Sequence, residues 1–466
     1  MDLKNMKEKI FRENGILAWI VCLGMLFSNI IVQGINNTFG ELIGTIIEEF
    51  NSDLTSVSLI PSVHSAAYYL AGFICSILVK WYSFRSLVFL GGAVSGMAFI
   101  ASFYASSITS LTITYGLVGG MANGIVYVPG LIACVFYFDD QKRALATGIA
   151  TSGSGVGIVV IPLLVGYINE CLGWRYSMLF LGVISPIICL VALIMLPLPP
   201  VGGADDNQNI VNLECGDDEK KNVQFYHSEQ VDLKAAKKMS ICEMKFGLDL
   251  PIVIQEIKRY LSDSWCLLKQ PKLIMYCLSH GSFTLAYFIP IDFLSTMMAE
   301  DHGISIEEAS YIIPIIGVST CLGKLVTGLL ISKYKMNSLR LHALYLAGSG
   351  FCCFGFTLCT QYYHYIGFAI FYGFVVGPID TLIVECLSTM FGLELVKDTV
   401  GFVMLVYALG AAIGAPIGGW IYAATDDFNA VFHFCAGVYI LGGMSGWFAL
   451  LLNKKYEQIT SQYDRI

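Results

Sequence analysis

Charge is what this sequence has least of. Of 466 residues, 13% are Asp, Glu, Lys or Arg against 56% apolar, and the mean hydropathy is +0.68. A soluble chain of this length needs far more charge to cover its surface, so the shortage excludes a water-soluble globular protein and sends the apolar surplus to lipid. Catalytic signatures are also missing: no HExxH, GxSxG or clustered His and Asp motif occurs, which leaves a membrane-embedded enzyme nothing to work with. No cysteine pair has a zinc-like spacing. Most of the 15 cysteines, such as Cys22, Cys134, Cys189, Cys352 and Cys353, sit inside apolar runs and read as small packing residues, so neither metal nor cofactor is expected. A net charge of -8, with the basic residues sorted by side and not gathered into a stripe, gives no cue to nucleic acid. Lys4, Lys7, Lys9 and Arg12 precede an apolar run with no convincing cleavage site after it, so the first span is expected to stay in the protein.

What is present is a series of apolar runs of about 20 residues or more, each long enough to cross a hydrocarbon core roughly 30 Å thick. They fall near 16–40, 56–79, 86–106, 110–136, 144–168 and 176–196, and again near 272–298, 309–331, 339–360, 365–391, 399–423 and 430–452. The expected organisation is a cytoplasmic N-terminus (1–15), a six-helix bundle (16–196), a cytoplasmic linker (197–271), a second six-helix bundle (272–452) and a cytoplasmic C-terminus (453–466). The linker holds ADD, DDEKK and KAAKK and is too polar to bury a core, so it reads as mostly disordered. Near 252–269, Val253, Ile257, Tyr260, Leu261, Trp265 and Leu268 recur at helical spacing opposite Glu256, Lys258, Arg259 and Asp263, the pattern of an amphipathic helix on the inner membrane surface.

Placing both termini inside puts Lys80, Arg85, Lys142, Arg143, Lys333, Lys335, Arg340 and Lys397 in short cytoplasmic loops. Arg175 is then the one basic residue of the opposite loops, beside Glu48, Glu49, Asp53, Glu300, Asp301, Asp426 and Asp427. The halves echo each other at an offset near 253 to 257. Tyr115-Gly116 matches Tyr372-Gly373, and Gly148, Pro162 and Gly166 match Gly401, Pro416 and Gly419, as a duplicated six-span unit would give.

The densest signal is YFDDQKRALATGIATSGSGVG, Tyr137 to Gly157: a charged turn opening into a helix that carries Gly148, Gly153, Gly155 and Gly157. Each glycine costs a soluble helix roughly 1 kcal/mol relative to alanine. Such density makes sense where helices approach closely in a membrane, so Gly148, Gly153 and Gly157 are expected at helix contacts.

Ionisable groups deep in a span cost about 2.5–3.5 kcal/mol on insertion scales and need a partner or a wet cavity. The candidates are Lys324, Asp380, Glu385, Asp292 and Glu41, with His64 and His280 behind them. Lys324 is the one Lys or Arg away from the ends of a span, and a lone cation suits a carboxylate substrate, although its stem is long enough to snorkel toward the cytoplasm. A Lys324–Glu385 pair would be either a structural tie or a switch opened by substrate or proton. Asp380, just after Pro378, is placed to line a cavity. Asp292 and Glu41 lie near outer ends, where exposed mouth residues are the simpler account. His64 and His280 suit either proton relay or hydrogen-bonded packing. Asp139-Asp140 with Lys142, Arg143, Lys80 and Arg85 form either an inner gate or topology signals alone.

The stretch from Tyr137-Phe138 through Lys142-Arg143, Ala146, Gly148, Ala150, Ser152-Gly153-Ser154 and Gly157 resembles the fifth-span signature of the monocarboxylate transporter family of the major facilitator superfamily, with Lys142-Arg143 where Arg-Arg is usual. Gly173-Trp174-Arg175 resembles that family's turn into the sixth span, and Gly414-Ala415-Pro416 with Gly419-Trp420 and Tyr422 its eleventh. Gly15 to Trp19 with Thr38-Phe39-Gly40 resembles the first span, where the usual Asp-Gly-Gly-Trp-Gly-Trp is eroded to Glu13-Asn14-Gly15-Ile16-Leu17-Ala18-Trp19.

The resemblance implies an all-α integral membrane protein with twelve transmembrane helices in two pseudosymmetric bundles, the major facilitator fold. It further implies a plasma-membrane location and a single-span accessory glycoprotein as partner. In the family the eighth span carries an arginine, with an aspartate four residues earlier in proton-coupled members; the matching positions here are Lys324 and Thr320, and the first-span basic residue corresponds to Asn37. Two elements of proton–lactate transport are thus replaced, which points to the broader branch handling amino acids, thyroid-hormone-like aromatics or other organic acids. The expected function is secondary transport of a small organic anion or zwitterion by alternating access, with H+ or Na+ as possible coupling ion. Lys324, Asp380, Asn37 and Thr320 would line the substrate site, and Glu385, Asp292, Lys142 and Arg143 would couple or gate. A non-transporting membrane receptor is the alternative.

Overall fold

The computed structural model describes residues 15–79, 82–195, 211–215, 219–223, 267–300, 303–305, 308–309, 311–393 and 395–463. It is a helical membrane protein. Helix α1 spans Ile16–Asn36, and a short helix α2 (Ile43–Phe50) leads into α3 (Leu54–Leu78) and α4 (Phe84–Phe103). The next crossing begins with Ile108–Leu111, passes through a π-helical stretch at Thr112–Gly119 and continues as α5 (Gly120–Tyr137). The glycine-rich α6 (Arg143–Leu172) turns at Gly173, whose φ of 91° favours glycine, into α7 (Trp174–Ile184) and α8 (Ile187–Ile194). The second half comprises α9 (Pro271–Glu300), α10 (Ile312–Tyr334), α11 (Ser338–Phe356), α12 (Tyr362–Val376), α13 (Pro378–Phe391), α14 (Val396–Thr425) and α15 (Phe428–Tyr463).

Among the described residues, 11 helices are long and apolar enough to cross a membrane. The remaining expected crossing, near 339–360, forms as α11. Its window is less apolar because it carries Arg340, exposed near its start, and His342, which is buried. Large apolar side chains such as Leu163, Leu190, Phe351, Phe371, Leu441 and Met444 lie on the outside of the bundle, the surface a lipid solvent requires.

Two segments depart from expectation. Within the linker, β1 (Val211–Cys215) and β2 (Glu219–Val223) pair antiparallel, with Val211 opposite Val223 and Glu214 opposite Lys220. Val-Asn-Leu-Glu-Cys alternates apolar and polar with period two, the sequence pattern of a strand, which favours a ribbon despite the polar composition. Helix α15 continues to Tyr463, beyond the expected end of the last span at 452, because no glycine or proline interrupts its polar extension. The amphipathic stretch near 252–269 lies largely outside the described residues.

Small residues set the helix contacts. A side chain at Gly153 would strike the Leu26 carbonyl and one at Gly157 the Ile30 carbonyl, so α6 rests backbone to backbone on α1. Gly148 faces the other half: a Cβ there would lie 2.8 Å from the Lys324 carbonyl, and Gly155 abuts the Gly317 carbonyl, both on α10. Gly72 on α3 meets Met404 of α14, and Gly401 meets Ser76. The two halves therefore touch along two seams, α6 on α10 and α3 on α14. At the face expected outside, Arg175 stands 4.5 Å over Trp174 and pairs with Glu49 at 2.6 Å, tying the turn after α6 to α2.

Candidate functional site

The site lies where the α6–α10 seam meets α13. Lys324 sits in α10 with 3% of its surface exposed. Its ammonium crosses the seam and donates to Ser154 Oγ on α6 at 2.7 Å, while that hydroxyl donates to the Thr151 carbonyl at 2.8 Å. The stem therefore points across the bundle and does not snorkel toward the cytoplasm. One helical turn away, the hydroxyls of Thr151 and Thr381 meet at 2.7 Å, a second polar tie between halves.

Asp380 is the carboxylate near enough for its charge to act on Lys324, although no ion pair joins the two. Pro378 opens α13, which puts Asp380 in its first turn, where unpaired N–H groups and the helix dipole favour an anion. Gly377 keeps helical dihedrals, so the proline interrupts the hydrogen-bond ladder between α12 and α13 without turning the chain. Asp380 Oδ1 accepts from the Tyr407 hydroxyl at 3.1 Å, and that hydroxyl oxygen also lies 2.7 Å from His280 Nδ1. Around the carboxylate stand Tyr68 and Tyr69 of α3, Tyr127 of α5 and Tyr407 of α14, all within reach of its charge. Tyr69 and Tyr407 meet edge to face at 5.2 Å across the seam, and Gln33 donates to the Tyr68 hydroxyl at 3.2 Å. A cation, an anion and a wall of tyrosines together suit a small molecule with a carboxylate and a polar or cationic far end.

The expected Lys324–Glu385 pairing is not made. Five residues on from Asp380 is about 7.5 Å along the axis and well over a third of a turn around it. Glu385 is thereby carried toward Arg143, Asp140 and Lys335, whose charges act on it. Arg143 is buried and pairs with Asp140 at 2.5 Å, whereas Lys142 is exposed in the turn before α6. Ser332 of α10 donates to the Gln141 carbonyl, so this end of the seam is tied by polar contacts from both halves.

Other candidates fall elsewhere. Asn37 caps the end of α1, its amide donating to the Gln33 carbonyl at 2.8 Å. Thr320 is buried, donates to the Gly373 carbonyl at 3.2 Å, and packs so closely on Gly377 that a Cβ there would lie 2.6 Å from its methyl group. It serves the α10–α12 contact. Asp292 lies in α9 beyond Pro290, its side chain outside the described residues. Glu41 is exposed, and Asn169 donates to its carbonyl at 3.0 Å. His64 has both ring nitrogens engaged, with the Tyr115 carbonyl at 2.9 Å and Asn36 Oδ1 at 2.8 Å. Tyr115 belongs to the π-helical stretch, whose widened ladder leaves its carbonyl available.

Sequence reasoning missed Ser154, Thr151, Tyr407 and the tyrosines on α3 and α5. A signal was present for the first two: Thr147, Thr151 and Ser154, all buried, recur at the 4-then-3 spacing of one helix face. The tyrosines carry no such mark, because their common neighbour is a carboxylate from the other half of the chain.

The Major Facilitator Superfamily model matches residues 21–396 and 273–464. Among curated proteins, the chain is 23% identical over 462 residues to human monocarboxylate transporter 14, covering 92% of this chain and 89% of that protein. It is 24% identical over 464 residues to human monocarboxylate transporter 2, covering 97% and 90%, and 25% identical over 441 residues to human monocarboxylate transporter 1, covering 92% and 84%. Among solved structures, the Escherichia coli fucose:proton symporter superposes with a TM-score of 0.65 at 13% identity, covering 94% of this chain and 99% of that one. A structure of that symporter described as outward in conformation gives 0.64 at 14% identity, with the same coverage. At such identity the structural likeness speaks to fold alone.

Proposed function

The chain belongs to the major facilitator superfamily, and from that premise we propose that it is a secondary transporter moving a small organic anion or zwitterion across a membrane by alternating access. The observation that carries the reading is Lys324: a buried cation on one half, held by a hydroxyl of the other half, with Asp380 as its counter-charge. A substrate carboxylate takes the Ser154 position on the ammonium, and the far end of the solute lies against Asp380 and the tyrosines. Because Ser154 and Lys324 belong to different halves, solute binding at this point acts on the seam that must open and close. The monocarboxylate transporters named among the relatives support a carboxylate-bearing cargo.

Arg143, Glu385, Asp140 and the Ser332–Gln141 contact close the inner end of the seam, with both termini and the linker on the cytoplasmic side. An impermeant label applied to intact cells should fail to reach a tag inserted at 202–210, and labelling there would overturn this orientation.

The deciding experiment is uptake into proteoliposomes of radiolabelled monocarboxylates, aromatic amino acids, carnitine and creatine at two external pH values. Flux of at least one solute, abolished in Lys324→Gln, is expected. Binding of a solute without flux would instead support a receptor.

A further inference from the structure

Behind Asp380 lie two histidines that the substrate site does not use. His280 of α9 and His342 of α11 stack with ring centroids 4.4 Å apart, and neither is exposed. Their hydrogen bonds fix the tautomers. With Asp380 ionised, Tyr407 donates its hydroxyl proton to Oδ1, so the tyrosine oxygen accepts from His280 Nδ1 at 2.7 Å. The proton of neutral His280 is therefore on Nδ1, and Nε2 is a lone pair. Ser279 donates its proton to the Gly442 carbonyl at 2.7 Å, so its oxygen accepts from His342 Nε2 at 2.9 Å, and His342 Nδ1 is a lone pair too. Neither His280 Nε2 nor His342 Nδ1 has a hydrogen-bond partner. An unpaired buried acceptor is destabilising. Two side by side, both basic and both lacking a donor, make a place for one proton. His64, with both nitrogens engaged, offers no such place.

We propose that His280 and His342 form the uptake site of a coupling proton, wired through Tyr407 to Asp380; this rests on the transport reading above, with Lys324 as the carboxylate site. A proton from water adds to the His280 Nε2 lone pair, in the field of the second lone pair on His342. His280 releases its Nδ1 proton to the Tyr407 oxygen, and Tyr407 passes its hydroxyl proton to Asp380 Oδ1. The sum is one proton taken up, Asp380 neutral, His280 in its other neutral tautomer and Tyr407 unchanged. Lys324 has then lost its counter-charge and draws an anionic carboxylate. The reverse sequence restores Asp380 as an anion and expels both cargo and proton.

The groups facing the pair are Tyr276 of the same helix, its ring 4.5 Å from His280 and 5.1 Å from His342, Tyr407 of α14, and Cys386 of α13 beyond Tyr276. From α15, Gly442 and Gly446 pack against this corner. Asp380 is faced by Lys324, Tyr68, Tyr69, Tyr127 and Tyr407. Lys324 and Asp380 are the formal charges among them, so Asp380 is where a relayed proton changes most.

The test follows histidine ring signals of the purified full-length protein, isotope-labelled at histidine, by NMR from pH 4 to pH 9, with His280→Gln and His342→Gln assigning the two rings. His280 is expected to pass from its Nδ1–H to its Nε2–H neutral tautomer with one midpoint between about pH 5 and 8, the stacked His342 ring reporting the same midpoint, as one proton, not two, is taken up. Asp380→Asn removes the destination of that proton and should move the midpoint to lower pH by about one unit or more. Tyr407→Phe should uncouple His280 from Asp380. A His280 ring that keeps its Nδ1–H tautomer over the whole range, or a midpoint indifferent to Asp380→Asn, would overturn the proposal, and the wild-type titration decides even where a variant fails to fold. Since titration needs no transported solute, silence in the uptake panel would overturn the transport reading alone.

Discussion

The two halves of the molecule share a helical plan but not a chemistry. In the second half lie Lys324 and the carboxylates Asp380 and Glu385, together with a histidine pair in which each ring has one unpartnered nitrogen. The first half faces them with neutral groups: the hydroxyls of Ser154 and Thr151, and the rings of Tyr68, Tyr69 and Tyr127. Its own buried charge among the described residues, Arg143, stands at the end of the seam where α6 begins. Duplication preserves backbone geometry because helix crossing depends on small residues at fixed spacings, whereas a single binding cavity needs its charges once. A cation from each half would repel across the seam. One half therefore carries charge, and the other carries shape and hydrogen bonds.

The contrast between the halves fails first if Lys324 proves dispensable. Lys324→Gln should lower solute affinity by about 2 kcal/mol or more, roughly 30-fold, since a buried charge partner is lost. Lys324→Arg should retain part of the flux, because charge persists but the fork geometry differs. The double change Lys324→Gln with Asp380→Asn separates two roles. Recovery of uptake would mean that the two groups only neutralise each other. Continued failure is expected if Lys324 holds the cargo.

Glycines of the first half give the next effect. Gly153→Leu and Gly157→Leu drive a side chain into the α1 backbone, and overpacking costs about 1–3 kcal/mol. Both should melt earlier than wild type in a thermal-stability assay. Gly437→Leu, which meets nothing within 4 Å, should not. Equal melting of all three would mean that α6 does not rest on α1 as described.

The neutral wall should give the smallest change. Ser154→Ala and Thr151→Val each remove one cross-seam hydrogen bond, a net of about 1 kcal/mol, without removing a charge. Ser154→Ala should alter the KM for the transported solute by a few-fold, because the ammonium it held is then free. Thr151→Val, one turn away, should leave KM alone. A loss in Ser154→Ala as large as that in Lys324→Gln would make the first half an equal partner in recognition and undo the contrast.

Much of the helical plan is legible in the amino-acid sequence. Runs of about 20 apolar residues are a local property, and a bilayer tolerates little besides a helix there, so the crossings follow from the chain alone. The buried lysine is legible for the same reason, since a charge inside such a run is conspicuous. α11 is the hardest crossing to read, because Arg340 and His342 count against it until Arg340 is known to stand exposed near its start and neighbouring helices to cover His342.

Partners are another matter. Asp380 and Glu385 sit five positions apart in one helix, and composition ranks them alike; the rotation of α13 against α10 turns Asp380 to Lys324 and Glu385 to Arg143. Ser154 and Lys324 are 170 residues apart, and a hydroxyl in a glycine-rich helix carries no mark of the ammonium it will meet. His64 and His280 look interchangeable in the sequence, yet one is fully hydrogen-bonded and the other holds a free lone pair beside His342. The order of residues alone dictates which segments cross the membrane and which side chains are too costly to bury idly, because both depend on transfer of each group from water to lipid. Which charges meet is settled by tertiary packing, because that depends on the angle and register at which helices cross, fixed by the backbone contacts of Gly148, Gly153, Gly155 and Gly157.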